Sequence, residues 1–100
     1  MDSATAKSEL VRVIKEIQSN SGLNCPELTG STKPLDDVDE FCSKVAILAT
    51  SKLAKRLEID IPVKENVFFD VNSKVNFTLD QAVQKLCGYQ AVKVGKEAAA

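Results

Sequence analysis

The chain has 100 residues, and its 13 basic and 14 acidic side chains give a formal net charge of −1. This length suffices for one domain with one modest core, and it is too short to enclose a large substrate cleft. The near balance of charge speaks against a dedicated nucleic-acid-binding protein, which typically carries a clear basic excess.

The side chains that usually support catalysis are scarce. The chain has three cysteines and no histidine, which excludes Ser-His and Cys-His catalysis and makes a zinc site difficult to build. Cys25, Cys42 and Cys87 lack metal-ligand spacing, so we expect free thiols in a reducing cytoplasm. No apolar run approaches the length of a membrane span, and the N-terminus lacks the apolar centre of a secretion signal. We therefore predict a cytoplasmic protein that is not an enzyme and binds neither metal nor membrane.

The N-terminal segment predicts a first helix over residues 3–19, capped by Ser3. Its apolar side chains recur at helical spacing and form one stripe: Leu10, Val13, Ile14 and Ile17. Gly22 and the two polar residues before it end this helix. A long polar loop over residues 22–39 follows, and we expect its leucines to hold it against the core: Leu23, Leu28 and Leu35.

A second amphipathic helix is predicted from Cys42 or Ser43 to about Glu58. Placing residues about 100° apart gives one buried arc: Ala46, Ile47, Ala49, Thr50, Leu53, Ala54 and Leu57. The opposite arc is mostly basic: Lys44, Ser51, Lys52, Lys55 and Glu58. Val38 and Phe41 fall off the buried arc, which speaks against an earlier start. The acidic residues just ahead favour the helix start through its dipole rather than a calcium loop: Asp36, Asp37, Asp39 and Glu40.

The last third of the chain begins with residues 59–62, Ile-Asp-Ile-Pro, either a very short strand or an extended connector. Pro62 can open a short helical turn over residues 63–66. We expect three apolar residues after it to be buried: Val67, Phe68 and Phe69. Residues 70–76 are predicted to be a polar loop.

A last helix is predicted from Thr78, which forms a capping box with Gln81, to a stop at Gly88. Its buried face combines four apolar residues: Leu79, Ala82, Val83 and Leu86. We predict an ordered core over about residues 3–88 and a flexible tail over residues 89–100, all within a single domain.

The segment PLDDVDEFCSKVAILATSKLAKRLEIDIP, residues 34–62, resembles the acyl carrier protein family. In that family an Asp-Ser-Leu motif opens the second helix, and a segment like L-G-I-E-I-P follows it. Here Phe41-Cys42-Ser43-Lys44 falls on the motif and residues 57–62 fall on the later segment, with no gap between them. The resemblance implies an all-α fold, a small helical bundle of three main helices plus a short third helix, with a long first loop. This is the four-helix bundle of the family.

The family's motif serine corresponds to Ser43. The resemblance implies that a 4'-phosphopantetheine arm is attached there in phosphodiester linkage and holds an acyl or related group as a thioester. It also implies partners, a phosphopantetheinyl transferase and acyl-transferring or synthase enzymes, as in fatty acid or polyketide biosynthesis. The small size and mixed charge of the chain make a monomer the default. A helix N-terminus suits an anionic phosphodiester. From the residues alone, Ser43 is equally an ordinary N-cap.

Two residues of the motif depart from the family pattern. Cys42 stands where the family has Asp, and Lys44 stands where it has Leu. Cys42 is interpreted as a half-buried filler, and Cys25 and Cys87 as structural or incidental. The second helix is basic where family members are acidic. This reversed charge of the second helix favours an alternative function, a non-carrier interaction module with the same fold. The module would dock through four residues: Lys44, Leu48, Lys52 and Arg56.

Overall fold

The computed structural model describes residues 2–62 and 65–90, which form four helices and one two-stranded hairpin around an apolar core. The helices are α1 (Ser3–Asn20), α2 (Pro34–Asp37), α3 (Ser43–Leu57) and α4 (Leu79–Cys87), and the strands are β1 (Phe69–Asp70) and β2 (Val75–Asn76). The three longer helices lie where the sequence predicts them, and α1 packs against both α3 and α4. The chain is therefore a mostly helical globule, as expected, with a small hairpin in addition.

The first helix extends over the predicted range, with one correction at its start. Asp2 and not Ser3 is the N-cap, because the Asp2 carboxylate accepts a hydrogen bond from the Thr5 N–H at 2.8 Å. The predicted apolar stripe is buried, together with Ala6 and Gln18. Gly22 has a φ of 72°, a left-handed conformation that suits glycine just after a helix.

Two core residues come from the connection that precedes α3. Val38 and Phe41 are buried, although both fall outside the helix. The Phe41 ring meets the Phe68 ring edge-on, with centroids 5.2 Å apart. The prediction that α3 begins at Cys42 or Ser43 is confirmed, since an earlier start would place these two side chains on the solvent side.

The long first loop is more structured than expected. It contains the single helical turn α2. Leu28 and Leu35 pack against the core as predicted, whereas Leu23 is half-buried and is not among the residues packed against the core. Residues 70–76 were predicted to be a loop, and only residues 71–74 form one, as the turn of a hairpin. The prediction is wrong at both ends of the range, because Phe69 pairs with Asn76 and Asp70 with Val75 in an antiparallel hairpin. The Asn76 side-chain amide donates to the Asp36 carboxylate at 2.9 Å, which joins the hairpin to α2.

The start of α4 confirms the predicted capping box. The Thr78 hydroxyl accepts from the Gln81 N–H, and the Gln81 side chain accepts from the Thr78 N–H. The first loop satisfies two more N–H groups at this end, because the carbonyls of Thr32 and Gly30 accept from Leu79 and Asp80 at 2.8 and 3.1 Å. Gly30 lies so close that an added Cβ would come within 2.3 Å of the Asp80 carboxylate.

The segment after α3 is an extended connector, in which the Asp60 N–H donates to the carbonyl of Gln90 at 2.9 Å. The predicted turn over residues 63–66 lies partly outside the described residues, and so does most of the predicted tail, residues 91–100. None of the helices in the described part of the chain combines the length and apolarity that a bilayer crossing requires.

Candidate functional site at the start of α3

Ser43 is the first residue of α3 and is exposed. The N-cap position belongs to Cys42, so the interpretation of Ser43 as an ordinary cap is wrong. Within the described residues, its hydroxyl has no hydrogen-bond partner. The hydroxyl is therefore accessible for modification, and no general base is hydrogen-bonded to it in the described part of the chain.

The backbone at this helix start is open. The first hydrogen bond within α3 runs from the Ala46 N–H to the Cys42 carbonyl at 2.8 Å. The N–H groups of Ser43, Lys44 and Val45 find no oxygen acceptor among residues 2–62 and 65–90. Unpaired N–H groups at a helix N-terminus carry partial positive charge and favour an anion.

The Cys42 side chain is exposed, which corrects its interpretation as a half-buried filler. Its thiol makes no capping hydrogen bond of regular geometry. The N–H groups of Val45 and Lys44 nevertheless lie close enough to lower the pKa of the Cys42 thiol below its ordinary value. The helix start therefore stabilises negative charge on an atom placed beside it, and the lowered pKa of the Cys42 thiol is one effect of this.

Three features hold the chain in place just before this site. Glu40 adopts a left-handed backbone conformation with a φ of 54°, and the chain turns there so that Phe41 enters the core. The buried amide of Gln18 donates from Nε2 to the Asp39 carbonyl at 2.9 Å, tying α1 to the turn. Sequence reasoning missed Gln18, although it lies four residues after Ile14 and so on the buried stripe of α1.

The four predicted partner-binding residues divide into two groups. Lys44 and Leu48 are exposed and Lys52 is half-buried, and helical spacing places all three along one side of α3. Arg56 instead faces α1, where its guanidinium forms ion pairs with the carboxylates of Glu16 and Glu9.

The pairing of Arg56 with Glu16 also shows in their acidities. The hydrogen bond from Arg56 lowers the pKa of Glu16, and the same bond raises the pKa of Arg56. The sequence could not reveal this pairing, since it depends on how α3 lies against α1.

The acidic residues ahead of α3 do not lie in its first turn. The Asp37 carboxylate accepts from the Lys33 N–H at 2.8 Å, across the start of α2. Asp36 lies in the same turn and accepts a hydrogen bond from Asn76 of the hairpin. The carboxylates of Asp36 and Asp37 therefore interact favourably with the dipole of α2 and not with that of α3.

Cys25 and Cys87 are free thiols away from this helix start, the first half-buried against the core and the second exposed. No three side chains of the metal-binding types come together among the described residues. The candidate site therefore consists of the Ser43 hydroxyl, the Cys42 thiol and the open N–H groups beside them. Comparison with known protein families, with curated proteins and with solved structures finds no match for this chain.

Proposed function

We propose that the protein is an acyl carrier protein-like carrier whose Ser43 holds a 4'-phosphopantetheine arm. The arm would carry an acyl or related group as a thioester and present it to partner enzymes. One observation carries the proposal: the Ser43 hydroxyl is exposed at the first residue of α3, beside N–H groups that have no acceptor in the described residues.

The chemistry of the linkage fits this position. A phosphodiester is anionic, and an anion at the first turn of a helix is stabilised by about 0.3–1 kcal/mol. The Ser43 hydroxyl neither donates nor accepts a hydrogen bond among the described residues, so its modification removes no interaction that the fold depends on. The proposal thus asks for no rearrangement of the helix start.

The fold supports the proposal in its broad outline. Three longer helices, a long first loop and the gap-free spacing from Phe41 to Pro62 agree with the carrier pattern. The short helix differs, because α2 precedes α3 here, while the family has its short helix after the second long one. Since the Ser43 hydroxyl has no hydrogen-bond partner among the described residues, other proteins would do the chemistry: a phosphopantetheinyl transferase, then acyl-transferring or synthase enzymes. We place this carrier in the cytoplasm as a monomer.

The test is attachment of the arm. The chain is co-expressed with a broad-specificity phosphopantetheinyl transferase, and its intact mass is measured. We expect a single gain equal to one phosphopantetheine. The gain should disappear in Ser43→Ala and persist in Ser51→Ala, a matched change of another exposed serine on α3. Absence of any gain, or a gain that survives Ser43→Ala, contradicts the proposal.

A second function, the non-carrier interaction module, is favoured by one observation. Leu48 is 50% exposed between the lysines of α3, an apolar side chain that the fold itself leaves uncovered. Such a module would bind its partner equally well as Ser43→Ala. Loss of partner binding with loss of the arm would instead identify a carrier.

A further inference from the structure

We infer that α3 docks an acidic helix of a partner protein through one exposed stripe, which we call the basic stripe: Lys44, Leu48, Lys52 and Lys55. The inference holds with or without an arm on Ser43, because it rests on the charge and shape of α3 alone.

The spacing of these residues defines a continuous surface. Leu48 lies four residues after Lys44 and seven before Lys55, which is one and two helical turns, so the three side chains share one face. The stripe spans about 16 Å along the helix axis. Leu48 lies within it and is 50% exposed, so a partner that covers the stripe also buries an apolar side chain.

The lysines of the basic stripe form no ion pair within the described fold. The cations that form ion pairs among residues 2–62 and 65–90 are others: Lys7, Arg12, Arg56 and Lys85. Lys52 lies at the edge nearest α1, and its charge contributes to lowering the pKa of Glu16. Lys44 and Lys55 therefore carry the charge that is most available to a partner.

Arg56 does not belong to this surface, although the sequence suggested it. Its guanidinium is occupied by Glu9 and Glu16 of α1, with its side chain only 32% exposed. Lys55, one residue earlier, is exposed and points to the same side of the helix as Lys44 and Leu48. The two neighbouring cations thus differ in role, which provides an internal control.

An acidic helix fits the basic stripe better than the other anionic partners. RNA binding depends on many cations that neutralise phosphates, whereas the stripe offers three lysines on a chain whose net charge is −1. A single exposed leucine gives little insertion into a lipid bilayer. Carboxylates one and two turns from an apolar residue on a partner helix would face the lysines while that residue covers Leu48.

The probe is a synthetic helical peptide of about 20 residues, with a central leucine and glutamates one turn to either side and two turns away. Its binding is measured by fluorescence anisotropy. We expect Lys44→Glu/Lys55→Glu to weaken binding by at least about tenfold, Leu48→Asp to weaken it, and Arg56→Gln to leave it within about twofold. Binding should also weaken between about 20 and 300 mM salt.

Several outcomes would overturn the inference: equal binding by the charge-reversed variant, equal binding of a peptide with Gln in place of Glu, or tighter binding of single-stranded RNA or of anionic phosphatidylglycerol vesicles. Self-association of the chain that is lost in Lys44→Glu/Lys55→Glu would assign the stripe to a second copy and overturn it as well. Ser43→Ala should bind the peptide as the parent does. Failure of the docking surface and failure of the arm are therefore read separately.

Discussion

The N-terminal ends of α3 and α4 differ in whether their first backbone N–H groups have hydrogen-bond acceptors. At α4 the N–H groups of Leu79, Asp80 and Gln81 all have oxygen acceptors, two from the first loop and one from the Thr78 hydroxyl. At α3 the corresponding three N–H groups have none among the described residues, and its cap residue is an exposed cysteine. One start is closed by the fold, while the other is left for solvent or a ligand.

The two helices are therefore held in place by different contacts. α4 is held by hydrogen bonds at its first turn, whereas α3 is held by what precedes it, the buried Phe41 and the amide of Gln18. An open helix start can persist because the apolar anchor lies just outside it.

Phe41→Ala should lower the free energy of unfolding by about 3 kcal/mol, because it removes a buried ring that packs on Phe68. Urea unfolding followed by circular dichroism measures the change. Phe41→Leu, which retains most of the apolar volume, should lose less than half as much. A loss below about 1 kcal/mol for the alanine variant would show that α3 is not anchored there.

Gln18→Leu should lower the free energy of unfolding by about 2 kcal/mol, since the Asp39 carbonyl loses its donor in a part-buried site. Gln84→Leu on the exposed face of α4 is the matched control and should change stability by less than about 0.5 kcal/mol. Equal effects of the two changes would rule out a role for the Gln18 amide in holding the turn.

Thr78→Ala should lower the free energy of unfolding by about 1 kcal/mol through loss of the cap of α4. Thr78→Ser should restore most of it. Ser43→Ala, at the first residue of α3, should have nearly no effect, since that hydroxyl caps nothing. If Ser43→Ala destabilises the protein as much as Thr78→Ala, the two helix starts are not different in kind.

Cys42→Asp should raise the free energy of unfolding by about 0.5–1 kcal/mol, because a carboxylate at the N-cap can accept from the open N–H groups of α3. Cys87→Asp at the other end of α4 serves as the control, and it should not stabilise the protein because the C-terminal end of a helix disfavours an anion. The same change gives residues 42 and 43 the Asp-Ser pair of the acyl carrier protein motif that they resemble, so under the proposed function attachment of the arm to Ser43 should become faster. No gain in stability would mean that these N–H groups are not available.

Alkylation of Cys42 by iodoacetamide should have a pH midpoint below that of the same cysteine in concentrated urea. The thiolate is the reactive form, and the lowered pKa of Cys42 in the folded state makes it more abundant at a given pH. As the pH rises above the midpoint measured in urea, the advantage of the folded state disappears because the thiol is ionised in both states. Peptide mapping by mass spectrometry follows Cys42 alone, and a midpoint unchanged by urea would contradict the effect of the helix start.

The long elements of the fold could be predicted from the sequence because each contains a full set of local signals. The stripe from Leu10 to Ile17 identified α1, the arc from Ala46 to Leu57 identified α3, and the capping box at Thr78 fixed the start of α4. The cap of α1 was misplaced by one residue, since Asp2 and Ser3 are equally good caps and only the structure shows which oxygen meets the Thr5 N–H.

The short elements could not be predicted because too few residues carry their pattern. β1 and β2 have two residues each, and α2 has four, so no periodicity can build up. At the candidate site, the sequence located Ser43 and the start of α3. It did not reveal the exposure of Cys42 or the pairing of Arg56, which depend on contacts between distant segments.

The first loop also has two unequal halves, and this sets where foreign sequence can be grafted. Thr29 and Thr32 close a tight turn on each other, and the carbonyls of Gly30 and Thr32 hold the start of α4. Pro26 and Glu27 are exposed, and neither is among the residues that bind α4. An epitope or fluorescent tag inserted between Pro26 and Glu27 would leave both helix starts intact. The same insertion between Thr29 and Gly30 would break the hydrogen bonds from the first loop to the start of α4.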